Sequence, residues 1–208
     1  MKILLAACNA KYIHSNLAVF NLKAYAKEYD SQVVLREYTI NQLKDDILKD
    51  IYRCHPDVVC VSCYIWNITF VRELMQDLRK ILPDVPFWAG GPEVSYDAET
   101  FLGKNPAFNG VMVGEGEETF LELVKHYVNG SVTLEETRGL VYRKADGALQ
   151  NNGWRQLMDL SKVPFAYENL ENFENRIIYY ESSRGCPFSC SYCLSSICLL
   201  YTSDAADD

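Results

Sequence analysis

Over about the first 130 residues, short apolar runs alternate with longer segments whose apolar positions recur every three or four residues, which predicts strand–helix–strand units around a parallel sheet. Strands are expected at residues 2–7 (KILLAA), 32–38, 58–62 (VVCVS), 86–89 and 110–113. The third is apolar almost throughout and so belongs at the sheet centre. Helices are expected at 17–28, with Ser15 or Asn16 as its cap, and at 42–54, 68–81 and 117–128, with a weaker one near 97–102. Leu43, Ile47, Leu48 and Ile51 share one helical face, as do Ile68, Val71, Leu74, Met75, Leu78 and Ile81.

Beyond residue 130 the pattern changes. Residues 140–143 and 148–151, joined through Ala145-Asp146-Gly147, predict a hairpin, and 161–175, polar and aromatic with Pro164, predicts a linker. Five strands with intervening helices fit an α/β, flavodoxin-like (Rossmann-like) parallel sheet of order 2-1-3-4-5. With 208 residues and 49% hydrophobic content, the chain can bury one core of typical domain size. Its net charge of -8 argues against a broad nucleic-acid surface. No apolar run reaches the ~18 residues of a membrane span, so a soluble cytoplasmic protein is the default expectation.

In open α/β sheets ligands sit beyond the carboxyl ends of the strands. The segments there are 8–12 (CNAKY), 63–67 (CYIWN), 90–93 (GGPE) and 114–117 (GEGE). Candidate cofactor-binding residues are therefore Asn9, Ser62, Tyr64, Asn67, Gly90, Gly91, Gly114 and Glu115. The glycines equally serve tight strand-to-helix turns. A phosphate site is disfavoured, because the first loop lacks G-x-G-x-x-G and the last carries carboxylates around its glycine.

Cys186, Cys190 and Cys193 stand in RGCPFSCSYC with spacing C-x3-C-x2-C. Three thiolates on one short loop can hold three corners of an iron–sulfur cluster and leave the fourth iron open for a ligand. Zinc is the alternative if Cys198 is a native fourth thiolate. Disulfides are disfavoured in an intracellular chain, and Cys8, Cys54, Cys60 and Cys63 read as ordinary buried cysteines. The motif resembles the signature of the radical S-adenosylmethionine (SAM) enzymes. The resemblance implies a 4Fe-4S cluster on these three cysteines, SAM chelated by the open iron and cleaved to a 5′-deoxyadenosyl radical, and Tyr192 against the adenine. It also implies a strand at 177–181 (IIYYE) opening the barrel, a small-molecule or other substrate, and a reductant such as flavodoxin or ferredoxin.

The run from KILLAACNA through PDVVCVSCYIWN, FWAGGPE and VMVGEGEETF resembles the cobalamin-binding domain that precedes the radical SAM barrel in one branch of that superfamily. Cobalamin, and methyl transfer or a related carbon–carbon or ring-forming reaction, are what this resemblance implies. The D-x-H-x-x-G loop that supplies a lower axial histidine is replaced by NAKYIHS, so His14 reads as a loop or capping residue and bound cobalamin is expected to lack a protein histidine there. His55, before Pro56, reads as part of the turn entering the third strand. The competing reading is a radical SAM protein whose first domain is a binding or interaction module without cobalamin.

The expected layout is 1–130 cobalamin-binding-like domain, 131–175 hairpin and linker, 176–197 start of the radical SAM domain, and 198–208 a non-native tail. That tail resembles the translation of a sequencing adapter, which implies a gene cut just after the cysteine loop. The barrel strands that would bind SAM are then missing, and the chain alone is expected to be inactive, since a barrel needs on the order of 200 residues.

Overall fold

The computed structural model describes residues 1–186, 188, 190–191 and 201–202. A seven-stranded sheet runs through it in the order β2-β1-β3-β4-β5-β6-β7. The strands are β1 (Ile3–Asn9), β2 (Val33–Thr39), β3 (Val58–Ser62), β4 (Phe87–Gly90), β5 (Gly110–Met112), β6 (Leu140–Arg143) and β7 (Leu149–Asn151). The first five are parallel in the order 2-1-3-4-5, as expected. The hairpin is not separate from them. Its first strand pairs antiparallel with β5 through Val111 and Val141, and so carries the sheet past its parallel part. A hairpin strand can close an edge in this way because it needs no crossover connection.

Helices cover both faces. On one side α2 (Lys44–Cys54), α3 (Ile68–Ile81), the short α4 (Pro92–Ser95) and α5 (Ala98–Lys104) enclose Leu4, Ala6, Val59, Val61 and Phe87. On the other, α1 (Leu17–Tyr25) and α6 (Glu117–Asn129) cover Ile3, Leu5, Val58, Cys60 and Trp88. The one-residue alternation of β1 and β3 between these two sets is the strand period, and burial on both faces explains why their sequences are apolar throughout.

The helices follow their stripes. Val71, Leu74, Met75 and Leu78 of α3 are fully buried. Asn16 caps α1, its Oδ1 accepting from Val19 N. That helix ends at Tyr25, short of residue 28, and a single 3₁₀ turn, Lys27–Tyr29, comes after it. His55 closes α2 in the left-handed region, at φ 48°, with Pro56 barring continuation.

Residues 177–181 do not form the expected strand. Only Ile177 pairs, in one parallel bridge with His14. The Tyr179 backbone is satisfied by a side chain instead: Tyr167 Oη donates to its carbonyl (2.9 Å) and accepts from its N–H (3.2 Å). Strand propensity without a neighbouring strand does not produce a ladder. Ser183–Arg184 forms a two-residue antiparallel pairing with Tyr201–Thr202. Among the described residues no helix is long and apolar enough to cross a membrane.

Candidate functional site

At the carboxyl end of the parallel strands a slot of about 670 Å³ opens between α1 and the β5–α6 loop. Its floor is the sheet face of Leu5, Cys60, Gly90 and Met112, and one wall is Leu17, Ala18, Asn21 and Leu22 of α1. Gly114 to Glu117 make the other wall, and residues 154–157 with 183–185 close over it. Small residues keep it open. Gly90 places no side chain beside Met112, and Gly91 is a backbone requirement: its φ is +109°, and a Cβ there would lie 2.5 Å from the carbonyl oxygen of Cys63.

Ser95 holds the two glycine loops together. Its Oγ donates to Gly91 O (2.8 Å) and accepts from Gly114 N (3.2 Å). Ser62 stands at the rim, where its Oγ accepts from Asn16 Nδ2 at 3.3 Å. Tyr64 stacks on Trp66 with ring centroids 4.4 Å apart and planes 10° from parallel. Burial, then the neighbouring Cys63 and Glu181, raises the Tyr64 phenol pKa and keeps it protonated.

Of the residues singled out from sequence, Ser62, Tyr64, Gly90, Gly91, Gly114 and Glu115 line the slot. Asn9 and Asn67 lie beneath it, committed to the protein. Asn67 Nδ2 donates to Cys8 O (3.0 Å) and Ser62 O (3.1 Å), and its Oδ1 accepts from Tyr64 N (2.8 Å), which ties the ends of β1 and β3. Asn9 Nδ2 donates to His14 O and Glu37 Oε1, while its Oδ1 accepts from Asn16. His14 is held by Tyr179, Nδ1 to Oη 2.6 Å, and does not line the slot.

The sequence reading missed the α1 wall, Ser95 and Arg184. The i, i+4 spacing of Leu17 with Asn21 and of Ala18 with Leu22 was a signal for the first. Nothing local announced the others. Arg184 reaches from the approach to the cysteine loop to the β5–α6 carboxylates: Nη1 is 3.2 Å from Glu115 Oε1 and from Glu117 Oε2, Nη2 also pairs with Glu117, and Nε meets Glu181 at 2.8 Å. Burial alone would lower its pKa, but the hydrogen bonds and charges of Glu117 and Glu181 outweigh that and raise it. Glu115 Oε2 also accepts from Met158 N at 2.6 Å, so one carboxylate anchors two of the roof segments. Cys186, two residues past Arg184, and Cys190 are partly exposed free thiols. Cys193 and Tyr192 lie outside the described residues. Among the described residues no three His, Cys, Asp or Glu side chains converge as a metal site.

The floor of the slot, its α1 wall and its glycine loops fall within residues 3–124, which match the family model of the B12 binding domain, while the segments that close over it lie beyond. The chain belongs to this family.

Among curated proteins, it is 27% identical over 190 residues to the cobalamin-dependent radical SAM methyltransferase TokK of Streptomyces tokunonensis, covering 83% of this chain and 27% of that protein. It is 30% identical over 159 residues to the uncharacterized methyltransferase PH0819 of Pyrococcus horikoshii, covering 73% of this chain and 34% of that one. Against the anaerobic magnesium-protoporphyrin IX monomethyl ester cyclase of Cereibacter sphaeroides the identity is 23%, covering 82% and 29%. The chain thus spans about a quarter to a third of the length of these relatives. In fold, the structure superposes on the cobalamin-dependent S-adenosylmethionine radical enzyme OxsB, solved with aqua-cobalamin and S-adenosylmethionine, with a TM-score of 0.73 at 19% identity, over 91% of this chain and 28% of that one.

Proposed function

We propose that this chain carries the corrinoid-binding portion of a cobalamin-dependent radical SAM enzyme, with the slot between α1 and the β5–α6 loop as the corrinoid site. The observation that carries the reading is the slot itself, apolar on its floor and open at the strand ends, with its floor, α1 wall and glycine loops inside the segment that matches the B12 binding domain.

The residues present fit such a group. Leu5, Leu22, Cys60 and Met112 offer flat apolar walls to a heteroaromatic base, and Gly90 leaves the floor free of a side chain. Ser62 Oγ already accepts from Asn16 and keeps its hydroxyl proton to donate at the rim. Arg184 neutralises part of the acidic wall, and Tyr64 and Trp66 present an aromatic pair on the loop after β3. Cys186, Cys190 and Cys193 are assigned to a 4Fe-4S cluster whose open iron takes SAM, with Tyr192 beside the adenine. When bound, the corrinoid supplies a methyl-carrying cobalt and the cluster supplies the electron that cleaves SAM. The chain's own part is to hold these groups, to keep water from the slot, and through Arg184 to fix the approach to the cysteine loop against the slot wall.

Gel-filtered chain incubated with aquacobalamin is expected to retain one corrinoid per molecule, read from its visible spectrum. Ser62→Phe, which fills the rim, is expected to lose it. Failure of the unaltered chain to retain corrinoid would sink the assignment. Anaerobic reconstitution with iron and sulfide, then low-temperature EPR, tests the cluster half: a cubane signal should vanish in the Cys186→Ala/Cys190→Ala/Cys193→Ala variant.

A further inference from the structure

Asn21 lies on the second turn of α1, 7% exposed, where the main slot meets an adjoining cavity of about 250 Å³. Among the described residues its carboxamide has no hydrogen-bond partner. The other buried asparagines differ in this. Asn9, Asn16, Asn67 and Asn105 each bond through both ends of the amide, to neighbouring backbone or side chains. Its amide atoms are not sealed in the interior but open onto the cavities, and asparagine is a poor choice for a helix interior, so neither packing nor local structure accounts for it. A ligand in the slot would.

The inference rests on the corrinoid reading above and concerns which corrinoid. Of a corrinoid's parts, the macrocycle is broad and rimmed with polar amides, whereas the base of the lower nucleotide is flat, with apolar faces and a heteroatom edge. Leu5, Leu22 and Cys60 suit the faces, which leaves Asn21 for the edge. A carboxamide sets a donor beside an acceptor and matches the N6/N1 edge of adenine, which stays free when the base is joined to the lower ribose through N7. The dimethyl edge of dimethylbenzimidazole presents two methyl groups and satisfies neither. We propose that Asn21 reads the lower base, and that the slot takes an adenine-based cobamide in preference to cobalamin.

Titration of the chain with the adenine-based cobamide, with cobalamin, and with cobinamide, which lacks the base, tests this by visible absorbance and tryptophan fluorescence. The adenine form is expected to bind on the order of 10-fold more tightly than cobalamin. Asn21→Leu should abolish that ratio and leave cobinamide unchanged, with Asn21→Ala as substitute if the leucine variant does not fold. Equal or tighter binding of cobalamin by the unaltered chain, survival of the ratio in the variant, or an equal loss for cobinamide would each overturn the proposal. Binding of none of the three would overturn the corrinoid reading itself and this inference with it.

Discussion

Arg176 Nη2 lies 2.8 Å from Glu37 Oε2, and both side chains are largely buried, at 15% and 11% exposure. The other oxygen of that carboxylate accepts from Asn16 N and Asn9 Nδ2, each at 2.9 Å, and Arg176 also donates to His14 O at 2.8 Å. The ends of β1 and β2, the head of α1 and the chain past Phe173 are thereby gathered around one ion pair.

Arg176→Met should lower stability by about 2–3 kcal/mol, because it leaves a buried carboxylate without its counter-ion although two N–H donors remain. Restoring neutrality with Arg176→Met/Glu37→Gln should recover part of the loss. Urea unfolding of the set checks this, against Lys49→Ala, which removes an exposed pair with Asp46 and should cost no more than about 0.5 kcal/mol. Proteolysis across 163–180 should accelerate in the single variant.

Burial pushes the Cys8 thiol up from 9.0 to about 12, and raises Cys60 and Cys63 as well. Above pH 9 the unfolded chain releases these protons while the folded chain keeps them, so stability falls as pH rises towards 12; below pH 8 the two states carry equal thiol charge and these groups give no slope. Each thiol contributes about 1.4 kcal/mol per pH unit within that window. Urea midpoints at pH 8, 9.5 and 10.5 should fall steeply, and Cys8→Ala should be less steep. An unchanged slope in the variant would refute the assignment.

Gly91→Ala should destabilise by about 3 kcal/mol or more, since the left-handed φ and the approach of Cys63 O act together. Gly130→Ala is the control. There φ is +65° and nothing lies within 4 Å of an added Cβ, so only about 1 kcal/mol is expected. Thermal unfolding distinguishes the two, and retained corrinoid binding in Gly91→Ala would show that the slot tolerates a shifted loop.

Arg184→Met should free the approach to the cysteine loop, because Glu115 and Glu117 lose their shared counter-ion. The expected sign is faster alkylation of Cys186 in the metal-free chain, roughly 10-fold if the local opening costs about 1.4 kcal/mol less. Peptide mapping by mass spectrometry reads it directly. No change in rate would mean that Arg184 does not restrain the loop.

The five parallel strands and the α2 and α3 stripes were legible in the sequence, because strands buried on both faces and helices buried on one leave periodic marks along the chain. The hairpin's place in the sheet was not legible. Residues 140–151 carry the pattern of two strands but no statement of which edge they join, and β5 offers its free edge only once the parallel strands are assembled.

The site divides along the same line. Glycines and polar residues at the strand ends marked where the slot opens, since topology alone sends those ends to one side of the sheet. Which of them face the slot was a tertiary outcome: Ser62 and Tyr64 line it, whereas Asn67, three residues beyond Tyr64, turns inward to bind Cys8 O and Ser62 O. Arg184 lies 67 positions from Glu117 along the chain, and no local periodicity relates them. By itself the sequence determined the alternation of elements, the cysteine spacing and the glycine-bearing strand ends, all of which are properties of neighbouring residues. The tertiary structure decided the slot, its acidic wall with the Arg184 clamp, and the unpartnered Asn21, because each depends on groups that meet only when distant segments pack.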